Sequence, residues 1–390
     1  MVGYEGLWSD RLADLKAKGL FRSLRPAVRL PQARIRFGDG PILTDFSAND
    51  YLGLSHHPKL IEAAQEYAGL FGVGAGASRL VSGNLAASDA IERKLAAAKQ
   101  TEAALIFASG AQANLTLLPA LLDTKTLGAE PLVYADKLNH ASLIQGCIAA
   151  GVKQIRFRHN DLGHLQSLLE RDRKLQRPRF IITESVFSMD GDGPDINELS
   201  ALADQFNAFL YIDEAHATGV LGASGFGLAC GLKNGLIMGT FSKGLGGFGG
   251  YVACSAVLRD YLINRCGGLI YSTGLPPSVL GTMQAAIDLV PEMHQARQHL
   301  HDLAALLRTR LKQAGLNTGN STTQIIPLIL EDEDLCLNLA AALERDGFCA
   351  VAIRPPTVPV GTSRLRLTVS AVHQAHDIHA LVDSIISHCR

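Results

Sequence analysis

Tyr211-Ile212-Asp213-Glu214-Ala215-His216-Ala217-Thr218-Gly219 is the stretch from which the fold can be read. The apolar run Phe209–Ile212 reads as a buried strand that ends on a carboxylate, with an imidazole three residues further on. Open α/β sheets bind ligands outside the carboxyl ends of their strands. Asp213 therefore sits where a cofactor ring would lie. A carboxylate there can pair with a protonated ring nitrogen, and His216 can reach a second polar atom of the same ring. The competing explanation is an Asp–His pair that only ties down a loop.

Working outward, the runs Ala103–Phe107, Leu132–Ala135, Phe180–Thr183, Leu236–Thr240 and Tyr251–Cys254 read as further strands. Helical patterns separate several of them. One, Ile196–Phe206, opens with Asp195 and carries Glu198 three residues on, a capping-box spacing. This alternation predicts an α/β domain with a mostly parallel sheet. Residues 7–24 read as an amphipathic helix ended by Pro26, and 29–46 as a hairpin turning at Gly38-Asp39-Gly40. After Pro276-Pro277 the pattern is helical to about residue 314, with 280–310 as a long connecting helix, and then alternates strand and helix. The expected organisation is an N-terminal helix and hairpin (1–45), a large domain (46–280) and a smaller C-terminal α+β domain (281–390).

Composition excludes several classes. Of 390 residues, 47% are hydrophobic and 19% charged, enough for a sizeable core and the opposite of a disordered balance. A net charge of −1 offers no basic excess for nucleic acid or a membrane surface. No run of 18 apolar residues predicts a membrane span, and the N-terminus lacks a signal-peptide pattern. A cytoplasmic enzyme acting on small molecules is expected. The seven cysteines are scattered, odd in number and without a CxxC pair, so reduced thiols are expected and no metal site.

The second chemical stretch is Gly239-Thr240-Phe241-Ser242-Lys243-Gly244-Leu245-Gly246-Gly247. A lysine wrapped by small residues just beyond a strand is open to a bulky ligand. Desolvation and nearby positive charge lower such an amine's pKa and make it a nucleophile for an aldehyde. Gly244, Gly246 and Gly249 also match a dinucleotide fingerprint, as do Gly72, Gly74 and Ala77. That fingerprint must open a helix after a strand, whereas Gly250–Cys254 reads as another strand, which makes a nicotinamide-dependent oxidoreductase the weaker alternative. Ser109-Gly110-Ala111-Gln112-Ala113-Asn114 follows a strand and begins a helix, a start whose amides suit a phosphate. Thr240 and the loop Tyr271-Ser272-Thr273-Gly274 are further phosphate candidates, although each of these features also reads as ordinary capping.

The order Asp213, His216, Lys243 resembles the fold type I pyridoxal-phosphate (PLP) enzymes. The markers Asn49–Leu54, Ser78–Leu80, Asp136–Ser142 and Val186–Asp192 narrow the resemblance to the α-oxoamine synthases, over about residues 20–385. Asn49–Leu60, His159–Asp161 and Ile353–Pro359 are similar to the branch that joins L-alanine to a pimeloyl thioester in biotin synthesis. The thioester would be carried by coenzyme A or an acyl-carrier protein. The fold implied is a large PLP-binding α/β domain with a smaller C-terminal domain.

The resemblance implies that Lys243 holds PLP covalently, Asp213 pairs with the ring nitrogen, His216 and Ser188 contact the phenolic oxygen and His140 stacks on the ring. Ser109, Gly110, Ala111 and Thr240 would hold the phosphate. Ser272 and Thr273 would reach the phosphate of a neighbouring subunit, implying a homodimer. Asn49 and Arg366 would bind the amino-acid carboxylate, and Arg22, Arg354 and Thr357 the acyl substrate. Two positions depart from the pattern: Ala111 where an aromatic residue is usual, and Ser88 where a histidine is usual. Rival assignments are a glycine-using member of the family and a non-catalytic partner subunit, which typically lacks the lysine.

Overall fold

In the computed structural model, which describes residues 3–389, the chain opens with the helix Tyr4–Ala17. Three short strands follow: β1 (Ala27–Leu30), β2 (Arg34–Phe37) and β3 (Ile42–Asp45). The helix is shorter than the apolar spacing predicts. It stops at Lys18 because Gly19 adopts a left-handed backbone (φ 64°), well before Pro26, and none of its residues is buried.

The apolar runs between residues 103 and 254 form one sheet. Its strands are β4 (Ala103–Phe107), β5 (Leu132–Asp136), β6 (Gln154–Phe157), β7 (Arg179–Glu184), β8 (Ala208–Asp213), β9 (Gly235–Thr240) and β10 (Gly250–Cys254). They lie in the order β4-β10-β9-β8-β7-β5-β6, parallel from β9 to β6, with β10 antiparallel to both its neighbours. Parallel neighbours need crossovers, and helices such as Ala141–Ala149, Leu162–Arg171 and Ile196–Gln205 supply them. Asp195 caps the last of these by accepting from the amides of Asn197 and Glu198. Strand β6 escapes a periodicity reading because Gln-Ile-Arg-Phe is a four-residue, half-buried edge strand.

The parallel direction has a direct consequence. The carboxyl ends of β5, β7, β8 and β9 bring Asp136, Glu184, Asp213 and Thr240 to one edge of the sheet.

The expected long helix of residues 280–310 is two helices, Pro277–Leu289 and His294–Gln313, separated by a tight turn at Val290–Glu292. Pro291 lacks the amide that a continuous helix requires. Beyond it come β11 (Ile325–Glu331), β12 (Phe348–Cys349), β13 (Val351–Ile353) and β14 (Ser363–Thr368). β14 is the centre of a three-stranded sheet, β11-β14-β13, while β12 joins β3 in parallel. The N-terminal hairpin thus shares a four-stranded sheet with the C-terminal part of the chain. Leu210 and Ile212 of the large sheet and Leu365 and Leu367 of the small one belong to one buried apolar cluster, so the two parts share a core. All seven cysteines are free thiols. Among the described residues no helix is long and apolar enough to cross a membrane.

One polar clamp fixes the rim of the large sheet. His159 Nδ1 lies 3.0 Å from Asp136 Oδ1 and its Nε2 lies 3.2 Å from the Asp192 carboxylate, with the ring edge-on to Phe187. Burial disfavours the imidazolium, but the two carboxylates outweigh it and push the pKa up to about 10. The clamp holds the loop 187–192 against β5. A folded-state pKa raised above the unfolded value of roughly 6.5 contributes stability that is complete below that value. It is lost as the pH rises through about 10. Urea unfolding is therefore expected to show stability falling across that window in the wild type and a flatter dependence in His159→Asn.

Candidate active site

Two loops meet back to back. Gly219 has φ 92°, and a Cβ there would lie 2.7 Å from the Gly244 carbonyl carbon, while a Cβ on Gly244 would lie 2.5 Å from Thr218 O. Only glycine permits this approach. Gly244, the first glycine of the apparent dinucleotide fingerprint, therefore serves loop contact, and β10, a strand, follows that run.

The contact sets Lys243 against His216. Lys243 Nζ lies 2.8 Å from His216 Nε2, and His216 Nδ1 lies 2.6 Å from the Tyr51 hydroxyl. Tyr51 donates to Asn49 Oδ1 at 3.0 Å, and the same oxygen accepts from Arg366 Nη2 at 3.0 Å. Gln324 Nε2 donates to the His216 carbonyl at 2.9 Å. Burial, then the Lys243 and Arg366 charges, push His216 well below its usual pKa, so the imidazole is neutral. Burial also lowers Lys243, to about 8, against the opposing pull of Asp213 and Glu184.

Asp213 is buried and held by neutral donors: Ala215 N at 2.9 Å and Asn114 Nδ2 at 3.0 Å. Asn114 is aimed by Tyr211, whose hydroxyl donates to Asn114 Oδ1 at 2.6 Å. Glu184 pairs with Asp213 across β7 and β8 and accepts from the His140 amide at 2.5 Å. Burial and then Asp213 push the Glu184 carboxyl well above the usual range. His140 caps the helix Ala141–Ala149 through its ring, and burial lowers its pKa.

A cleft of about 260 Å³ is lined by Asn49, His140, Ser188, His216, Lys243 and Arg366, with Val351 and Ile353 as its apolar wall. Arg366 Nε donates to Ser188 O at 2.5 Å, and among the described residues the guanidinium has no carboxylate partner. Larger cavities of about 540 and 470 Å³ contain neither Lys243 nor Asp213.

The helix Gly110–Leu121 begins beside β9, with Ser109 Oγ accepting from Gln112 N at 3.0 Å. The first-turn amides of Gly110 and Ala111 are available to an anion. The Thr240 hydroxyl donates to Gly249 O at 2.7 Å, so its proton is already engaged. Ser272 lies 3.2 Å from Gln112 Nε2 and Thr273 bridges to Ser78, and neither lines the Lys243 cleft. The acyl candidates also lie outside it. Arg22 is exposed, Arg354 donates to Gly19 O at 3.0 Å and lies 3.5 Å from Glu333, and Thr357 is exposed. Of the supporting residues, Tyr51 and Asn114 stand inside stretches singled out in the sequence, but their roles depend on long-range contacts. Nothing local marks Gln324.

The site fits PLP by the chemistry of its donor set. Asp213 is a buried acid with neutral partners, placed for a cationic ring nitrogen; Lys243 is a partly deprotonated amine; a helix start offers free amides; and Arg366 offers an unpaired guanidinium.

Residues 41–385 match the family described as aminotransferase class I and II, and the chain belongs to that family. A relative from Paramagnetospirillum magneticum is 57% identical over 99% of this chain and 98% of its own. The 8-amino-7-oxononanoate synthase of Gluconacetobacter diazotrophicus is 50% identical over 99% of this chain and 97% of its own. Among solved structures, a serine palmitoyltransferase variant from S. paucimobilis, with bound PLP–myriocin aldimine, is 28% identical. It superimposes with a TM-score of 0.89 over 99% of this chain and 97% of that one.

The loop carrying Asp213 and His216 is braced from behind by an ion pair with no exposure on either side, Lys99 Nζ to Glu214 Oε2 at 2.7 Å. Glu214 Oε1 also accepts from Leu228 N at 2.6 Å and Ala229 N at 3.0 Å. Removing one partner of a buried pair leaves an uncompensated charge, which costs about 3–5 kcal/mol. Lys99→Met is expected to lose about that much in denaturant unfolding. Replacing both Lys99 and Glu214 with apolar residues should cost much less than adding the two single losses.

Proposed function

We propose that the protein is a PLP-dependent acyltransferase that condenses L-alanine with a pimeloyl thioester. Carbon dioxide and the free thiol leave, and the product is 8-amino-7-oxononanoate, an intermediate of biotin synthesis. The observation that carries this reading is the meeting of Lys243, His216 and an Arg366 without a carboxylate partner in one cleft, with the buried Asp213 close enough to act on Lys243. The name that the relative from Gluconacetobacter diazotrophicus carries, 8-amino-7-oxononanoate synthase, supports the choice of product.

Bound PLP supplies a sink for the electron pair left on the amino acid's Cα. Asp213 favours a protonated ring nitrogen, which keeps that sink strong. His216 and Ser188 would contact the phenolic oxygen, and His140 would cover the ring face. Ser109 and the amides of Gly110 and Ala111 would hold the phosphate, with Thr240 beside it. Ser272 and Thr273 would serve a second subunit's phosphate in a homodimer.

Lys243 would hold the cofactor at its aldehyde carbon, and its amine would be the base for the Cα proton. The Asn49 oxygen is already taken by Arg366 and Tyr51, so its amide nitrogen faces the cleft together with the remaining Arg366 donors. A carboxylate gripped there is fixed at two points, which selects the Cα bond to be broken. Val351 and Ile353 offer an apolar wall to the acyl chain. Arg354 is engaged by Gly19 and Glu333, so a far carboxylate would have to compete for it.

Protein loaded with PLP and given L-alanine with pimeloyl-CoA, or with pimeloyl acyl-carrier protein, is expected to release 8-amino-7-oxononanoate, read by mass. Product from glycine but not alanine would overturn the substrate assignment. Borohydride is expected to fix PLP on Lys243, with capture by the cofactor-free chain increasing as the pH rises through about 8. Lys243→Ala should abolish turnover and leave the fold intact by circular dichroism.

A further inference from the structure

The hydroxyl of Tyr51 stands at the junction of two functions, and its single proton cannot serve both. It lies 2.6 Å from His216 Nδ1 and 3.0 Å from Asn49 Oδ1. The Asn49 oxygen is only an acceptor, whereas a neutral imidazole nitrogen is a donor or an acceptor according to tautomer. If the hydroxyl donates to Asn49, His216 must carry its proton on Nδ1. Its bare Nε2 then accepts from Lys243. If the hydroxyl turns to His216 Nδ1, the proton sits on Nε2 and Asn49 loses a donor. The three side chains are buried or half-buried, and Gln324 holds the His216 backbone, so the chain of bonds has two consistent directions and no third.

We propose that Tyr51 is a positioning residue that sets which nitrogen of His216 carries the proton and couples that choice to the carboxylate-binding pair Asn49 and Arg366. An ammonium on Lys243 selects the direction Lys243 to His216 to Tyr51 to Asn49. An acceptor oxygen in the place of the ammonium, as the proposed function gives His216 when PLP is bound, selects the reverse. The Asn49 amide would therefore gain or lose a donor as the partner of His216 changes, and the grip on a substrate carboxylate would change with it. This inference rests on the proposed function for the reversal, but the resting direction follows from the protein's own side chains.

The groups that bear on this chain come from every element around it. Lys243 feels Asp213 on β8, Glu184 on β7 and Arg366 on β14, besides its contact with His216. His216 feels Lys243, Arg366 and His140. Tyr51→Phe leaves all of these in place and removes one hydroxyl. Without it, a proton on Nδ1 would face no acceptor, so it moves to Nε2 and meets the Lys243 ammonium donor to donor.

The test uses the full chain with ¹⁵N-labelled histidine, free of cofactor, and competitive acetylation of Lys243 read by mass. In the wild type, His216 is expected to be protonated on Nδ1, with Lys243 titrating near about 8. In Tyr51→Phe it is expected to be protonated on Nε2, with the Lys243 midpoint lower by about one pH unit. A loss of stability alone would leave that midpoint unchanged. Identical tautomers and midpoints in the two chains would overturn the assignment. Should the variant not fold, an Nε2-protonated His216 in the cofactor-free wild type would overturn it as well. Loading with PLP then separates this idea from the one beneath it. Lys243 left unmodified by borohydride in both chains would sink the functional reading while the tautomer result still stood.

Discussion

A buried, uncharged imidazole is the constraint on which the site depends. His216 is fixed on both ring nitrogens and at its carbonyl by groups from three distant parts of the chain: Lys243, Tyr51 and Gln324. A buried polar group without partners is costly, so these contacts also constrain where the three segments lie. The close passage of Gly219 and Gly244 has the same effect on the backbone. Site geometry and domain packing are therefore one problem, since the shared apolar core and the His216 contacts draw the large and small sheets to the same place.

Around that centre the charged groups fall into two kinds. Some are closed off: Lys99 with Glu214, and His159 with Asp136 and Asp192, are matched within the protein and act as struts. Others have no ion-pair partner: Lys243 and Arg366 line the cleft, and Asp213 is buried near Lys243. Asp213 has only neutral donors, Arg366 has only oxygen acceptors of neutral groups, and Lys243 has an imidazole. A site that leaves these three without ion-pair partners so near one another is arranged to receive a ligand carrying the complementary charges.

Much of this was legible in the sequence because it is encoded locally. The strand runs ending at Asp213 and Thr240, the Asp195 cap and the glycine loop around Lys243 are short-range patterns, and the sheet follows from them within a residue or two at each end. The failures share a cause. Strand β6 is too short and too polar to show a period, and the helix Tyr4–Ala17 ends on the backbone freedom of Gly19 before the more obvious Pro26. The break at Pro291 lies inside an otherwise continuous helical pattern. In the site, Lys243, Asp213 and His216 could be picked from their neighbours in sequence, and His140 came with the family resemblance. Asn114 and Gln324 could not, because they act across contacts separated by 99 and 108 residues. The motif around Ile353 marks the cleft wall, yet Arg354 beside it points to Gly19 and Glu333.

The pairing of β3 with β12 has a consequence for how the chain is made. Residues 44 and 45 hydrogen-bond in register with residues 348 and 349. A ribosome releases the hairpin long before its partner strand. Throughout that interval the outer edge of β3 has no neighbour, although the seven-stranded sheet can already form. The short N-terminal strands, interrupted by turns and rich in arginine, are poor templates for strangers. The cleft wall of Val351 and Ile353 is thus translated after the floor that carries Lys243 has been laid.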